Sequence, residues 1–167
     1  MLKPAKRYLR IFQSLILALL PGMGGSAEPT TYEGQVKQVV DGDTLVLQSW
    51  WKKVRVRLAE IDAPEHDQPY GAAAKSALAD LVNGRTVRVV SVNHDRYGRV
   101  VGRVYVGDTD VNAVLVQQGH AWVYRQYARD KSLFSAEKEA KRARRGLWSE
   151  NQPTPPWEWR ARQRNRL

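Results

Sequence analysis

Between Tyr32 and Val106 the chain repeats one device five times: a short run rich in Val, Thr and aromatic residues, closed by turn residues. The runs are QVKQVV, TLVLQSW, KVRVRLAEI, TVRVVSV and RVVGRVYV. Branching at Cβ and aromatic bulk favour extended backbone. Asp41–Gly42 and Tyr97–Gly98 are hairpin signals, because glycine accepts the positive φ that tight turns demand. Five short strands suit a small closed or partly open barrel.

Three helical patterns interrupt or follow the strands, so the expected class is α+β. YGAAAKSALADLV starts at Tyr70 and runs into Asn83–Gly84, a pair suited to a helix C-terminus. DVNAVLVQQG has Asp110 as its N-cap and stops at Gly119. SLFSAEKEAKRARRG has Ser132 as candidate N-cap and spaces Phe134, Ala136, Ala140, Ala143 and Leu147 along one face. Its outer face is strongly basic and reads first as a solvated surface. Beyond Trp148, the prolines at 153, 155 and 156 predict an extended tail over residues 150–167, with Trp157, Trp159 and several arginines packed back or mobile.

Residues 1–27 stand apart. Lys3, Lys6, Arg7 and Arg10 precede an apolar run, and Gly25–Ala27 offers small residues before Glu28. That order predicts a secretory signal peptide, an exported (periplasmic or secreted) mature chain and no stable membrane association after cleavage. The expected folded domain is then 28–149. Lys and Arg outnumber Asp and Glu by 27 to 17, a formal charge of +10. Without those four basic residues the balance is 23 to 17, or +6. A basic globular chain favours a polyanionic partner. There is no cysteine, which excludes disulfides and thiolate metal sites.

The chemistry is concentrated where strands end. Asp41 and Asp43 sit at a hairpin immediately before Leu45 and Leu47. In KVRVRLAEI, Val54, Val56 and Leu58 alternate with Arg55 and Arg57, so Arg57 lies opposite the apolar face. Asp62 and Glu65 follow just past that strand, in a turn stiffened by Pro64. Asp95 opens a tight turn and Arg99 begins the strand that leaves it. Each piece alone is ordinary turn chemistry. Together they meet the needs of phosphodiester hydrolysis: carboxylates for a hard divalent cation, guanidinium groups for phosphate oxygens, and a further carboxylate for the attacking water. No Gly-rich phosphate loop and no His-Glu-x-x-His is present. His66, His94 and His120 are scattered. DTDVN at Asp108 begins like a calcium loop but has Ala113 and Gly119 where glycine and glutamate are needed.

DGDT (Asp41–Thr44), RLAEIDAPE (Arg57–Glu65), DRYGR (Asp95–Arg99) and RRGLW (Arg144–Trp148), in this order and at fitting intervals, resemble the staphylococcal nuclease, or thermonuclease, family. The resemblance spans roughly Tyr32 to Trp148. It implies a five-stranded oligonucleotide/oligosaccharide-binding (OB-fold) β-barrel with three α-helices. It also implies a calcium (Ca2+)-dependent nuclease that cuts DNA and RNA, single-stranded or locally unpaired substrates favoured, and leaves 3′-phosphate ends. A monomer is the default for this architecture. Carried over by position, Asp43 and Asp62 resemble the carboxylate ligands of calcium, and Ala63 matches the residue that lends a backbone carbonyl. Asp41 resembles an outer-sphere acid of the same site. Arg57 and Arg99 match the phosphate-clamping arginines. Glu65 matches the proposed general base and is taken as water-activating or loop-ordering. Arg96, Tyr97, Trp122 and Tyr124 form the expected substrate-binding set. Ala63 replaces a threonine, Trp122 a tyrosine and Arg96 a lysine of the family pattern. The rival from another class is a non-catalytic nucleic-acid-binding barrel; a basic membrane-surface protein has only charge in its favour.

Overall fold

The structure, a computed structural model, describes residues 29–166; the expected signal segment lies outside the described residues. Five strands build the barrel: β1 (Thr31–Val39), β2 (Thr44–Ser49), β3 (Lys52–Leu58), β5 (Thr86–His94) and β6 (Val100–Val106). Between and after them lie two-residue strands, β4 (Ile61–Asp62), β7 (Thr109–Asp110) and β8 (Trp122–Val123). The main sheet runs β3-β2-β1-β5-β6-β7, and a parallel pairing of β3 with β6 closes it on itself. Closure leaves the barrel without a free edge between its first and last strands. Shifts of register in β1, between Val36 and Gln38, and in β5, between Ser91 and Asn93, bend the two strands that must curve.

The period-two pattern decides what points inward. Leu45, Leu47, Val56, Leu58, Val87, Val89 and Val104 fill the barrel at 0–1 % exposure. Helix α1 (Gly71–Val82) closes one side with Leu78 and Val82, α2 (Val111–Gln117) adds Val111 and Leu115, and α3 (Lys131–Arg142) adds Leu133. Asp110 caps α2 as expected, its carboxylate accepting from the Ala113 amide at 3.1 Å. The cap of α3 differs from expectation. Asp130, not Ser132, is the N-cap, and one Asp130 oxygen takes both the Ser132 amide and hydroxyl. A carboxylate is the stronger acceptor, so it displaces the hydroxyl as cap. The buried face of α3 accordingly turns on Leu133, Glu137 and Ala140.

The C-terminal tail is the larger correction. After a 3-10 turn at Gly146–Ser149, residues Pro156–Arg164 form a fourth helix, α4. Pro156 occupies its first turn, where a missing amide proton costs nothing. The apolar residues of α4 make no continuous stripe, and its first turn holds Glu158 while its last holds Arg162 and Arg164, the arrangement that suits a helix dipole.

Candidate active site

The turn from β1 to β2 is drawn against the turn after β3. Asp41 Oδ1 accepts the Asp43 amide at 3.0 Å, and the Leu58 amide donates to the Asp43 carbonyl at 2.8 Å. Gly42 makes the approach feasible: a Cβ there would lie 2.7 Å from Ala63 Cβ and 2.8 Å from Ala74 Cβ. The Asp43 side chain is thereby carried inside. Its Oδ2 accepts the Ala63 amide at 2.8 Å, and its Oδ1 accepts the Thr44 hydroxyl at 3.1 Å.

Arg57 lies across this junction. Thr44 and Arg57 face each other in the β2–β3 pairing. Its guanidinium pairs with Asp43 Oδ2 at 2.9 Å and donates to Asp62 Oδ1 at 2.8 Å and to the carbonyls of Leu58 and Ile61. Asp62 is 1 % exposed and Asp43 6 %. Burial pushes the Asp43 carboxyl up to about 7; Arg57 opposes that rise, while Asp41 and Asp62 add to it. Arg57 is held charged because the three aspartates outweigh its own loss of water. A carboxyl shifted by burial and by neighbours of its own sign is a candidate for function.

Glu65 sits on the loop between β4 and α1. That loop folds back on its own backbone: the Gln68 amide donates to the Glu65 carbonyl at 3.0 Å and the Gly71 amide to the Gln68 carbonyl at 2.9 Å. A side chain at Gly71 would collide with the Glu65 carbonyl. The Glu65 carboxylate is not left to water. Arg160, from α4, donates to Glu65 Oε1 at 2.5 Å and to Asp62 Oδ2 at 2.8 Å, with a longer contact of 3.2 Å to Asp62 Oδ1.

The expected site therefore divides. Asp41, Asp43, Arg57, Asp62, Ala63 and Glu65 converge at the strand ends. Arg99 does not touch those acids; its Nε donates to Asp95 Oδ2 at 2.6 Å. It borders a small open depression with Arg55 and Tyr97. Its neighbour Val100 pairs with Val56, so Arg99 lies at the β3 edge that carries Arg55 and Arg57. Tyr97 is exposed, and the Arg96 and Arg99 guanidinium carbons lie 5.4 and 5.7 Å from its ring centre. Trp122 is buried and meets Trp148 edge-on, so it offers no open face to a base. Tyr124 lies flat against Trp157 of α4, the planes 3° apart and the centroids 5.9 Å apart.

A hard divalent cation fits the donor set in kind. Among the described residues no three His, Asp or Glu side chains form a ready cage. Asp43 and Asp62 supply two carboxylates, Asp41 a third nearby, and calcium completes such a shell with carbonyl and water oxygens. The three neighbouring aspartates suit that group in charge and hardness; the guanidinium groups of Arg57 and Arg160 already occupy part of the same acids.

Sequence reasoning missed Arg160 and Gln68. Three prolines within four positions signalled an extended tail, yet Pro155–Pro156 followed by eleven residues without proline or glycine is also a helix start. Nothing in the sequence pairs position 160 with 62 and 65.

Residues 55–150 match the protein family described as staphylococcal nuclease homologue. The chain is 47 % identical over 130 residues to an Escherichia coli protein named "Uncharacterized endonuclease", covering 77 % of this chain and 85 % of the relative. It is 42 % identical over 145 residues to a "Micrococcal nuclease" of Shigella flexneri, covering 80 % and 83 %. A Haemophilus influenzae "Uncharacterized endonuclease" is 40 % identical over 131 residues, covering 78 % and 74 %. The family match begins inside β3 and ends before α4, so Asp41, Asp43 and Arg160 lie outside it.

Proposed function

This chain belongs to the staphylococcal nuclease homologues and is a nuclease, and we propose that it hydrolyses DNA and RNA phosphodiesters with calcium held at Asp43 and Asp62, leaving 3′-phosphate ends. The observation that carries this reading is the buried carboxylate pair spanned by Arg57, with the Asp43 carboxyl raised first by burial and further by Asp41 and Asp62, against the pull of Arg57.

Asp43, Asp62 and the Ala63 carbonyl would hold the cation, with Asp41 acting through water. When bound, the cation neutralises charge that develops on the phosphate oxygens. Arg57, fixed by two backbone carbonyls and two carboxylates, presents a guanidinium whose orientation is set before substrate arrives. A preset donor loses little on meeting the charge of a pentacoordinate phosphate. Arg99 exchanges its contact with Asp95 for a second phosphate oxygen. Glu65, at the rim and one-third exposed, accepts the proton of the attacking water. Tyr97 is exposed beside Arg99 and offers ring surface for an unstacked base, which supports a preference for single-stranded or locally unpaired substrate, whereas the Tyr124 ring is already covered by Trp157. The order of basic, apolar and small residues over 1–27 supports export, and no helix among the described residues is long and apolar enough to cross a membrane.

The test is incubation of the purified protein with single-stranded DNA and with RNA, in calcium and then in chelator, with end-group analysis of the fragments. Calcium-dependent cleavage to 3′-phosphates is expected. Binding without cleavage would leave the non-catalytic barrel as the correct description.

A further inference from the structure

Helix α4 reaches the proposed site from the far end of the chain and leaves an arginine between two of its carboxylates, Asp62 and Glu65. We propose that Arg160 is a positioning residue of this site and that α4 is one of its walls, fixing Glu65 and Asp62 in the arrangement hydrolysis uses. The proposal rests on the nuclease reading above and adds a residue outside the segment that matches the family.

Three features of the geometry carry it. The first is the fork itself. Nη2 of Arg160 lies 2.8 Å from Asp62 Oδ2 and Nη1 lies 2.5 Å from Glu65 Oε1, so one planar group sets the relative placement of both carboxylates. Guanidinium holds such a geometry with little freedom, whereas an ammonium is a point charge. Glu65 needs that help. It stands on a loop outside any strand, and one-third of its side chain is exposed.

The second feature is that the same tail also holds the backbone under Glu65. Gln68 is 6 % exposed; its Oε1 accepts the Glu65 amide at 3.1 Å while its amide nitrogen donates to the Thr154 carbonyl at 2.6 Å. Were α4 to leave, a buried amide donor would lose this partner. A segment built to detach would not be wired so.

The third feature is anchorage on both sides of Arg160. Trp157 stacks on Tyr124, and Pro156 is buried. Trp159 Nε1 and the Gln163 amide nitrogen donate to the two oxygens of Asp67, at 3.2 and 3.3 Å. Asp67 belongs to the Glu65 loop, so α4 is tied to that loop at Glu65 and Asp67 and to β4 at Asp62, while Thr154, just before the helix, holds Gln68.

The guanidinium has a second consequence, and it makes the proposal testable. A fixed positive charge on Asp62 opposes a cation at the same carboxylate. Removing it should therefore tighten cation binding while it disorders Glu65. A residue that only stabilised the fold would weaken both functions together, and an inhibitory latch would restrain both together.

The experiment compares the full chain with Arg160→Ala and Arg160→Lys. Terbium luminescence without substrate reads cation affinity, hydrogen exchange reads the amides of residues 65–70, and steady-state cleavage of single-stranded DNA in calcium separates kcat from KM. Arg160→Ala is expected to lower kcat about 10- to 100-fold with KM within about threefold. Terbium should bind at least as tightly as in the parent, and exchange at 65–70 should accelerate while the barrel amides stay protected. Arg160→Lys should recover part of kcat. Unchanged kcat overturns the proposal. Raised kcat with tighter terbium binding overturns it in favour of a latch, and faster exchange throughout the barrel overturns it in favour of a fold-stabilising role. If the parent chain itself fails to cleave, the nuclease mechanism falls. The exchange and terbium results still decide whether Arg160 positions Glu65.

Discussion

Two clusters in this molecule have nearly the same composition and opposite purposes. In one, Arg103 of β6 joins Glu60, Asp110 and Asp130 at 2.7–2.9 Å. In the other, Arg57 and Arg160 join Asp43, Asp62 and Glu65 at 2.5–2.9 Å. The difference lies in what else the carboxylates hold. Glu60 Oε1 accepts the amides of Arg129 and Asp130, and Asp110 and Asp130 each cap a helix with the oxygen that Arg103 leaves free. These acids remain 15–32 % exposed. Backbone amides and Arg103 hold the Glu60 carboxyl below its usual range, and the hydroxyl and amide of Ser132, together with the Arg103 guanidinium, hold Asp130 at about 2. Asp43 and Asp62 are 9 % and 1 % exposed along their side chains, and Asp43 is driven the other way. The partly exposed acids around Arg103 tie elements together through backbone amides; the acids around Arg57 are more deeply buried, and a carboxyl shifted upward by burial is a candidate for function.

The largest effect is expected beside the second cluster, at Arg99, the proposed phosphate contact, which pairs with Asp95 and not with the acids of the cluster. Arg99→Ala should lower turnover by at least about 10²–10³-fold, the cost of one preset transition-state donor, with the thermal midpoint little changed. Steady-state cleavage beside a melting curve checks it, and full activity would remove Arg99 from the chemistry. Next in size, Asp43→Asn should abolish most activity and weaken terbium binding about 10- to 100-fold. The same change deletes a charge buried at a cost, so at pH 8 its melting temperature should equal or exceed that of the parent. Asp130→Asn should do the reverse, lowering stability and leaving cleavage by the folded fraction intact.

The smallest effect is the pH dependence of stability, where the clusters pull in opposite directions. Asp43 titrates higher folded than unfolded, so its protonation should add stability as pH falls through about 7 toward 4. Glu60 and Asp130 titrate lower when folded. Their contribution is present above the ordinary carboxylate range and should be lost as pH falls from about 4 toward 2. Urea unfolding across that range should show both slopes, and Asp43→Asn should remove only the first.

Much of the fold and part of the site were legible because they depend on short-range rules. Alternation along β3 put Arg57 opposite Val56 and Leu58, and Asp41–Gly42 marked the turn that carries Asp43 inward. What escaped depends on distance along the chain. Glu60 had no assigned role, because its partners lie on β6 and before α3, 43 to 70 residues away. Arg160 lies 98 residues from Asp62, on a helix with no apolar stripe to announce it. Trp122 fell at a nucleotide-pocket position in sequence. Its burial follows from Trp148, whose ring sits 5.1 Å away.

The most direct test sets Arg57→Ala beside Arg103→Ala, measuring kcat/KM per folded molecule and unfolding free energy for both. Arg57→Ala should lose at least about 10²–10³-fold in kcat/KM. Arg103→Ala should lose about 2–3 kcal/mol of stability as charged hydrogen bonds go unmade, with kcat/KM of the folded fraction within about threefold of the parent. Cleavage retained by Arg57→Ala, or abolished in folded Arg103→Ala, would contradict the division of labour between the two clusters.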